Sequence, residues 1–306
     1  MTSTGNVFRS GAIVGGVLLL AGCSGGGGGT AAPSPAVTPS ASATPYGTTL
    51  AQVLEPISTG LGKVAAATTT SEVTSALATV ESSADRAARN LNAGSAPAGA
   101  DAARTELVNG LNSLSSEALS IRVELNDKKL CAVGVVQAEL GAAQGLVAVP
   151  AALAELATAG YPAAFTVPEL PKPQPQPRTL ENGAVVRDGG NGGKGTLKFN
   201  NNGSADAVFT LATDGKAVAS AYAAKGQAAT IDGVKDGSYE IYYTTGVDWD
   251  SEAKQFTRDC RFVKVGDTHE FEPGGGGTIW TIKMRAEDGK GNAKTESRTV
   301  NSAPQP

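Results

Sequence analysis

The chain has 306 residues, of which 41% are hydrophobic, and its formal net charge is −4 at pH 7. This length is enough for two ordinary domains, and the hydrophobic share is enough to build buried cores. Basic residues are spread along the chain without a cluster, which excludes the dense positive charge that nucleic-acid phosphates require. We therefore predict no nucleic-acid partner.

The first segment has the pattern of an export signal. An apolar run covers residues 11–21, and Arg9 is the only basic residue before it. The run is shorter than the roughly 20 residues that cross a bilayer, and its length is typical of the apolar part of a signal peptide. We predict a signal peptide over residues 1–22.

Leu20, Ala21, Gly22 and Cys23 follow one another at the end of this run. The tetrad resembles the lipobox of bacterial lipoproteins. The resemblance implies that the Cys23 thiol receives a diacylglycerol, that cleavage makes Cys23 the first mature residue, and that the protein is anchored to the outer face of the cell membrane. Two acyl chains are sufficient for stable anchoring. The alternative is an ordinary secretory signal with an incidental cysteine, which would leave a reactive exposed thiol.

Residues 23–45 consist largely of Gly, Ala, Ser, Thr and Pro, without apolar periodicity. Such a composition cannot bury enough apolar surface to offset the entropy lost on ordering. This segment is therefore predicted to be a disordered tether next to the lipid anchor.

Residues 46–166 carry apolar residues at helical spacing. Thr69 and Glu72 fit a capping box, after which apolar residues recur at intervals of three and four. The other expected helices cover residues 50–64, 107–125, 130–149 and 151–159. Pro56 is expected to kink the first of these or to start a new helix, and Pro150 is expected in the first turn of the last. Four or five antiparallel helices predict a helical bundle, with the role of a spacer or docking unit.

Residues 167–178 alternate Pro with other residues. This pattern favours extended polyproline II structure, so we expect a stiff linker of roughly 30 Å at about 3.1 Å per residue. The alternative is that the segment docks on an aromatic groove as a ligand.

Over residues 179–300, apolar and polar residues alternate with a period of two, and turn signals such as Asp214-Gly215 and Asp236-Gly237 lie between the alternating stretches. The expected strands cover residues 184–187, 196–200, 207–213, 218–223, 227–231, 238–245, 258–265, 269–272, 278–286 and 293–300. The expected core layer contains Tyr239, Ile241, Tyr243, Trp280, Ile282 and Met284. These strands predict a C-terminal antiparallel β-sandwich, followed by a disordered tail over residues 301–306.

The stretch IDGVKDGSYEIYY at residues 231–243 resembles a turn and strand of transthyretin-like or prealbumin-like bacterial surface modules. Together with residues 244–262, it is similar to a C-terminal β-domain found in lipoproteins and exported proteins of high-GC Gram-positive bacteria. The resemblance covers roughly residues 195–300. It implies a fold and an extracellular location, and it implies no chemistry.

Two further patterns resemble a nucleotide-binding loop and a catalytic or zinc-binding residue, and we interpret both as structural. Residues 190–195 satisfy GxGxxG, but a nucleotide site needs this loop before a helix, and a strand is expected after it. His269 is the only histidine, and a catalytic triad or a zinc site needs further partners. We predict a turn at residues 190–195 and a surface or strand-end position for His269.

Asp248, Trp249, Asp250 and Glu252 form the stretch with the strongest indication of ligand binding. Three carboxylates within five residues can supply oxygen ligands to Ca²⁺, and Trp249 can stack on a sugar. The spacing is not that of an EF-hand loop, and Asp is also an ordinary turn residue. A structural loop, a calcium site and a sugar or cell-wall contact therefore remain open. A hydrolase built on two of these acids is a further, weaker alternative.

Cys131 and Cys260 remain once Cys23 is lipidated. An exported protein lies in a compartment where disulfides persist. The two cysteines therefore either form a disulfide between the predicted domains or remain as buried free thiols.

Taken together, the sequence predicts a non-catalytic cell-envelope lipoprotein without a cofactor or bound metal. Its expected partners are the membrane, through the N-terminal lipid, and an envelope protein or a cell-wall glycan. The alternatives are a calcium-dependent or carbohydrate-binding module that uses residues 248–252, and an exported hydrolase.

Overall fold

The computed structural model describes residues 45–189, 192–272, 277–284 and 297–306. The predicted signal peptide, the lipobox with Cys23 and all but the last residue of the tether lie outside these residues. Within them the chain has five helices followed by nine strands, so it is a mixed α and β protein. The helices are α1 (Pro45–Ala66), α2 (Thr70–Ala93), α3 (Asp101–Asn126), α4 (Val133–Gly141) and α5 (Gln144–Thr158).

The start of α2 is fixed by local hydrogen bonds. Thr69 is its N-cap: the Thr69 hydroxyl accepts from the Glu72 amide, and the Glu72 carboxylate accepts from the Thr69 amide. The amides of Thr68 and Thr69 lower the pKa of Glu72. The predicted capping box is confirmed, because all of its donors and acceptors lie within a few residues of one another.

The predicted boundary between the last two helices is wrong. α4 ends at Gly141, α5 begins at Gln144, and Pro150 lies inside α5 instead of in its first turn. The Glu117 carboxylate of α3 accepts hydrogen bonds from the Gln144 and Gly145 amides, both at 2.9 Å. A side chain from another helix therefore caps α5, and α5 continues through Pro150 with one backbone hydrogen bond fewer.

The five helices share one buried apolar cluster, to which each contributes. Representative fully buried members are Leu50, Leu77, Leu107, Leu140 and Leu156. Among the described helices, none is long and apolar enough by itself to cross a membrane. α4 and α5 together pass the same test of length and composition, with a 40° bend between them.

The strands follow after the Pro-rich segment. They are β1 (Val185–Arg187), β2 (Gly195–Asn200), β3 (Asp206–Thr213), β4 (Lys216–Ala223), β5 (Ala228–Val234), β6 (Gly237–Asp250), β7 (Gln255–Phe271), β8 (Ile279–Lys283) and β9 (Ser297–Val300). They form a six-stranded sheet, in the order β1-β4-β3-β6-β7-β9, and a three-stranded sheet, in the order β5-β2-β8. The β2–β8 pair is parallel, so the prediction of a purely antiparallel arrangement is wrong at this pair.

Two strands are longer than predicted. β6 extends to Asp250, and β7 joins the two strands expected at residues 258–265 and 269–272. Register shifts interrupt the β6–β7 ladder between Tyr239 and Ile241 and between Thr245 and Val247. Such irregularities let long paired strands bend without ending, which a simple alternation pattern does not reveal. Parts of the strands expected at 278–286 and 293–300 lie outside the described residues.

The two sheets share one buried cluster. The Phe199 ring of β2 stacks on the Phe209 ring of β3, with centroids 4.7 Å apart. Of the expected core residues, Tyr239, Ile241, Tyr243, Ile282 and Met284 are buried in this cluster, and Trp280 is half-buried against it. The period of two therefore identified the inner face of these strands.

Candidate functional site

The helical and sheet regions meet along β7. Backbone hydrogen bonds join residues 128–131, after α3, to residues 257–260: the Cys131 amide donates to Thr257 at 2.8 Å, Asp259 to Lys129 at 3.1 Å and Cys260 to Lys128 at 2.9 Å. The pairing is antiparallel, with a bridge between Leu130 and Arg258. The segment after α3 thus pairs with β7 as a very short additional strand.

Cys131 and Cys260 form a disulfide across this contact. Their Cα atoms are 6.2 Å apart, and the bond links positions 129 residues apart in the sequence. Of the two states that the sequence left open, the structure has the bonded one. The bond ties the helical region covalently to the central part of β7.

A second polar contact crosses the same junction. Arg258 of β7 pairs with Glu139 of α4, and both side chains are partly exposed. The Arg258 Nε atom is buried without a hydrogen-bond partner. The guanidinium group is therefore held at the boundary between α4 and the six-stranded sheet, with one donor unused.

Arg178, at the end of the Pro-rich segment, is the centre of a polar network with two aspartates of β6. Its side chain donates to both oxygens of Asp248, at 2.9 and 2.6 Å, and its backbone amide donates to Asp248 at 3.0 Å. The Thr257 hydroxyl donates to Asp248 at 2.6 Å, and Arg178 reaches Asp250 at 3.3 Å. The Asp248 side chain is fully buried, so its carboxylate is satisfied by several hydrogen bonds from the protein instead of water.

Two opposing effects set the pKa of Asp248. Burial by itself raises it, and hydrogen bonds from Arg178 and Thr257 overcome this effect and lower it from 3.8 to about 2. The carboxylate is therefore charged at neutral pH. Its charge is used to hold Arg178 and is not available to a substrate.

Trp249 is an anchor of the sheet. Its side chain is only 2% exposed, and its ring packs edge-on against Phe256 at 5.1 Å and against Tyr222 at 6.0 Å. Its backbone amide donates to the Arg178 carbonyl at 2.8 Å. A ring in this position cannot stack on a sugar, which corrects that expectation from the sequence.

Residues 248–252 are also not a single loop, as the sequence suggested. Asp248, Trp249 and Asp250 belong to β6, and the turn to β7 follows them. Asp250 Oδ1 accepts from the Glu252 and Ala253 amides at 3.0 and 2.9 Å, so it closes this turn. A calcium ion here would have to displace Arg178 from two carboxylates. Within the described ranges, no group of three His, Cys, Asp or Glu side chains is arranged to hold a metal.

A groove of about 660 Å³ lies beside this network. Its walls are α4, the Pro-rich segment and the turn between β6 and β7, and its charged residues are Glu139, Lys172, Arg178, Asp250, Glu252 and Arg258. Charges of both signs alternate with Ala, Val and Pro side chains. This lining can contact a partner that has both polar and apolar groups. His269, the single histidine of the chain, does not line the groove.

The Pro-rich segment is one wall of the groove. Leu170 packs against the helical cluster, and the amide of Thr166, directly before the segment, donates to the Ser58 hydroxyl of α1 at 3.0 Å. At its other end, Arg178 is fixed to β6. The segment is extended, and it lies along the folded regions instead of standing free between them.

His269 is buried, so the predicted surface position is wrong. It lies in β7, is 4% exposed, and its ring packs edge-on against Trp280 at 4.9 Å. Its Nδ1 atom has no hydrogen-bond partner, and burial lowers the pKa of the imidazole. The packing of β7 against Trp280 of β8 brings the imidazole inside, and the sequence does not show this contact.

The glycines around residues 190–195 serve backbone packing. A Cβ atom at Gly193 would lie 1.9 Å from the Val234 carbonyl oxygen, and one at Gly195 would lie 2.4 Å from the Phe271 ring. β2 begins at Gly195, as expected of a turn that leads into a strand. Gly190 and Asn191 lie outside the described residues.

Sequence reasoning missed the contribution of Arg178, Thr257 and Glu139 to this region. Arg178 was assigned to a linker, and the other two had no distinguishing pattern. A charged residue at the end of a Pro-rich segment was the one available signal, but its partner Asp248 is 70 residues away.

No protein-family model, curated protein sequence or solved structure matches the chain.

Proposed function

We propose that the chain is an exported, lipid-anchored cell-envelope protein without enzymatic activity, whose folded part binds an envelope protein or a cell-wall glycan. In this proposal the helices form a bundle, the two sheets form a β-sandwich, and Cys23 carries the diacylglycerol. The outer face of the cell membrane is the proposed location.

The observation that carries the proposal is the disulfide between Cys131 and Cys260. Structural disulfides persist in exported proteins and are rare in the reducing cytosol. This bond agrees with the compartment implied by the lipobox at residues 20–23, although the two features are independent in the sequence. Both support export.

The proposal of a binding protein instead of an enzyme is supported by how the acidic residues are used. Asp248 and Asp250 are paired with Arg178, and Glu139 is paired with Arg258. The groove of mixed character beside them has the size of an ordinary ligand or peptide site. It is the proposed contact surface for the partner.

Anchoring is tested by metabolic labelling with an alkyne-tagged palmitate, followed by membrane fractionation. We expect the wild-type chain to be labelled and to sediment with membranes, and Cys23→Ala to lose both properties. If Cys23→Ala is labelled and remains in the membrane fraction, the lipid-anchor proposal fails. Replacing both Cys131 and Cys260 by Ser is the control, because it removes the other two cysteines without touching the lipobox.

Partner binding is tested separately with a photo-crosslinking amino acid placed in intact cells. Position Ser251 lies at the groove, and position Asp214 lies in the exposed turn between β3 and β4. We expect defined adducts from the first position and none from the second. Equal labelling at both positions would remove the groove as the contact surface.

A further inference from the structure

A second cavity, of about 380 Å³, lies between the two sheets. β1 and β4 of the six-stranded sheet form one wall, and β5 forms the other. β1 and β5 are the outermost strands of their sheets at this side. Among the described strands none covers the gap, so the space between the sheets is open at this side of the described structure. We call it the inter-sheet cavity.

The inter-sheet cavity reaches the shared apolar cluster. Its lining includes Leu211, Ala219, Ala221, Val234 and Tyr239, all of them buried members of that cluster. The alanines alternate along β4, so both face the space between the sheets. Well-packed interiors leave few voids of this size. The volume falls within the range of small-molecule sites, near its lower end.

The side chains that line the interior of the cavity offer no buried polar atom without a partner. The Tyr239 hydroxyl donates to the Lys235 carbonyl at 3.1 Å, which leaves only its ring as a lining surface. Within the described ranges, four buried side-chain nitrogen or oxygen atoms have no hydrogen-bond partner, and none of them lines this cavity. Apolar cavities of this kind favour apolar ligands over water. The buried apolar side chains of the lining therefore favour hydrocarbon in the part of a ligand that enters.

The mouth is polar and nearly balanced in charge. Asp232 accepts a hydrogen bond from the Thr196 hydroxyl at 3.0 Å, and Arg187 donates to the Pro306 carbonyl at 3.3 Å. The Lys235 side chain is exposed and forms no ion pair with a described residue, and the 69% exposed Val185 side chain lies at the rim. A ligand that leaves the cavity here meets the Lys235 ammonium beside the apolar Val185 side chain, with Arg187, Asp188 and Asp232 also at the mouth.

We propose that the inter-sheet cavity binds the hydrocarbon part of a small anionic amphiphile, such as a medium-chain fatty acid, and that its anionic group lies outside next to Lys235. The site is separate from the groove beside Asp248. It does not depend on the proposed lipid at Cys23.

The test is calorimetric titration of lauric acid into the full chain carrying Cys23→Ala, which removes the site of covalent lipid attachment. We expect saturable binding of one molecule. Ala219→Leu, which fills the cavity, is expected to weaken binding at least about tenfold. Ala228→Leu is the matched control, because Ala228 lies on the exposed face of β5 outside the lining, and it is expected to bind like the parent.

Overpacking can destabilise a core, so circular dichroism checks the fold of each variant. Ile231→Asp is the second variant, because Ile231 lines the cavity and is only half-buried. It is expected to weaken laurate binding without filling the core. The absence of binding by the parent, or equal affinities of the parent and both folded cavity variants, overturns the proposal.

The anionic group is tested with Lys235→Gln and with lauryl alcohol as a neutral ligand of the same chain length. We expect the substitution to weaken laurate binding several-fold and to leave the affinity for the alcohol unchanged. An equal effect on both ligands overturns the assignment of the anionic group to Lys235. Failure of lipid labelling at Cys23 would leave these results unaffected, so the two proposals are distinguishable.

Discussion

Replacing Asp248 with Asn tests the network that joins the Pro-rich segment to β6. The substitution keeps the size of the side chain and removes the buried charge that accepts from Arg178 and Thr257. A pKa lowered from 3.8 to about 2 corresponds to about 2 kcal/mol in favour of the charged form in the folded state. Removing one member of a buried ion pair costs about 3–5 kcal/mol. Because the Arg178 side chain is 32% exposed, water can compensate part of this loss, and we expect about 2–3 kcal/mol.

The assay is urea denaturation of wild type and Asp248→Asn at several pH values. Since the folded-state pKa is lowered, the contribution of the carboxylate is complete above the unfolded-state pKa of about 3.8 and is lost as the pH falls through about 2. The difference between the two proteins should therefore be largest at neutral pH and shrink over this window. Asp250→Asn is the control, because Asp250 is partly exposed and 3.3 Å from Arg178, and it should cost less than about 1 kcal/mol. Equal losses for both variants, or a difference independent of pH, would refute the argument.

Three further predictions concern other parts of the fold. Replacing Cys131 and Cys260 by Ser should lower the free energy of unfolding by about 2–4 kcal/mol, measured by urea denaturation, because the bond closes a long loop in the unfolded chain; an unchanged value would contradict the pairing. The free energy of unfolding should fall as the pH drops below 6.5, because burial lowers the pKa of His269 and the unfolded state therefore takes up the proton first. Thermal melts of His269→Leu should lack this dependence of stability on pH, and an identical dependence would exclude His269 as its source. Gly145→Ala should destabilise the fold by about 1–3 kcal/mol, because the added Cβ would lie 2.4 Å from a backbone nitrogen of α3. Gly62→Ala is the control: its Cβ meets no atom within 4 Å, so this variant should be neutral or slightly stabilising in the same thermal melts.

Much of the fold follows from short-range patterns. The capping box at Thr69, the helical spacing over α1 to α3 and the alternation around Ile241 each depend on residues a few positions apart. Hydrogen bonds and side-chain periodicity at that range are properties of the local sequence. The spacing of apolar residues changes from three or four positions in the helical region to two positions in the strand region. This change predicted where the helices end and the strands begin.

The errors have a common physical origin in contacts between distant segments. α5 begins where Glu117 of α3 supplies its cap, so Pro150 lies inside the helix. His269 is buried because β7 packs it against Trp280 of β8. In each case a contact with another element outweighed the local signal.

The sequence by itself determined the types of element, their order and the inner faces of the strands, because these depend on spacing along the chain. Only the tertiary structure decided that Cys131 bonds to Cys260, that Arg178 holds Asp248 and that Trp249 is buried. The first two partners lie 129 and 70 residues apart, and no local pattern selects among the candidate pairs at such separations. The stretch that carried the strongest chemical expectation is consequently a structural anchor, because Arg178 reaches both of its aspartates.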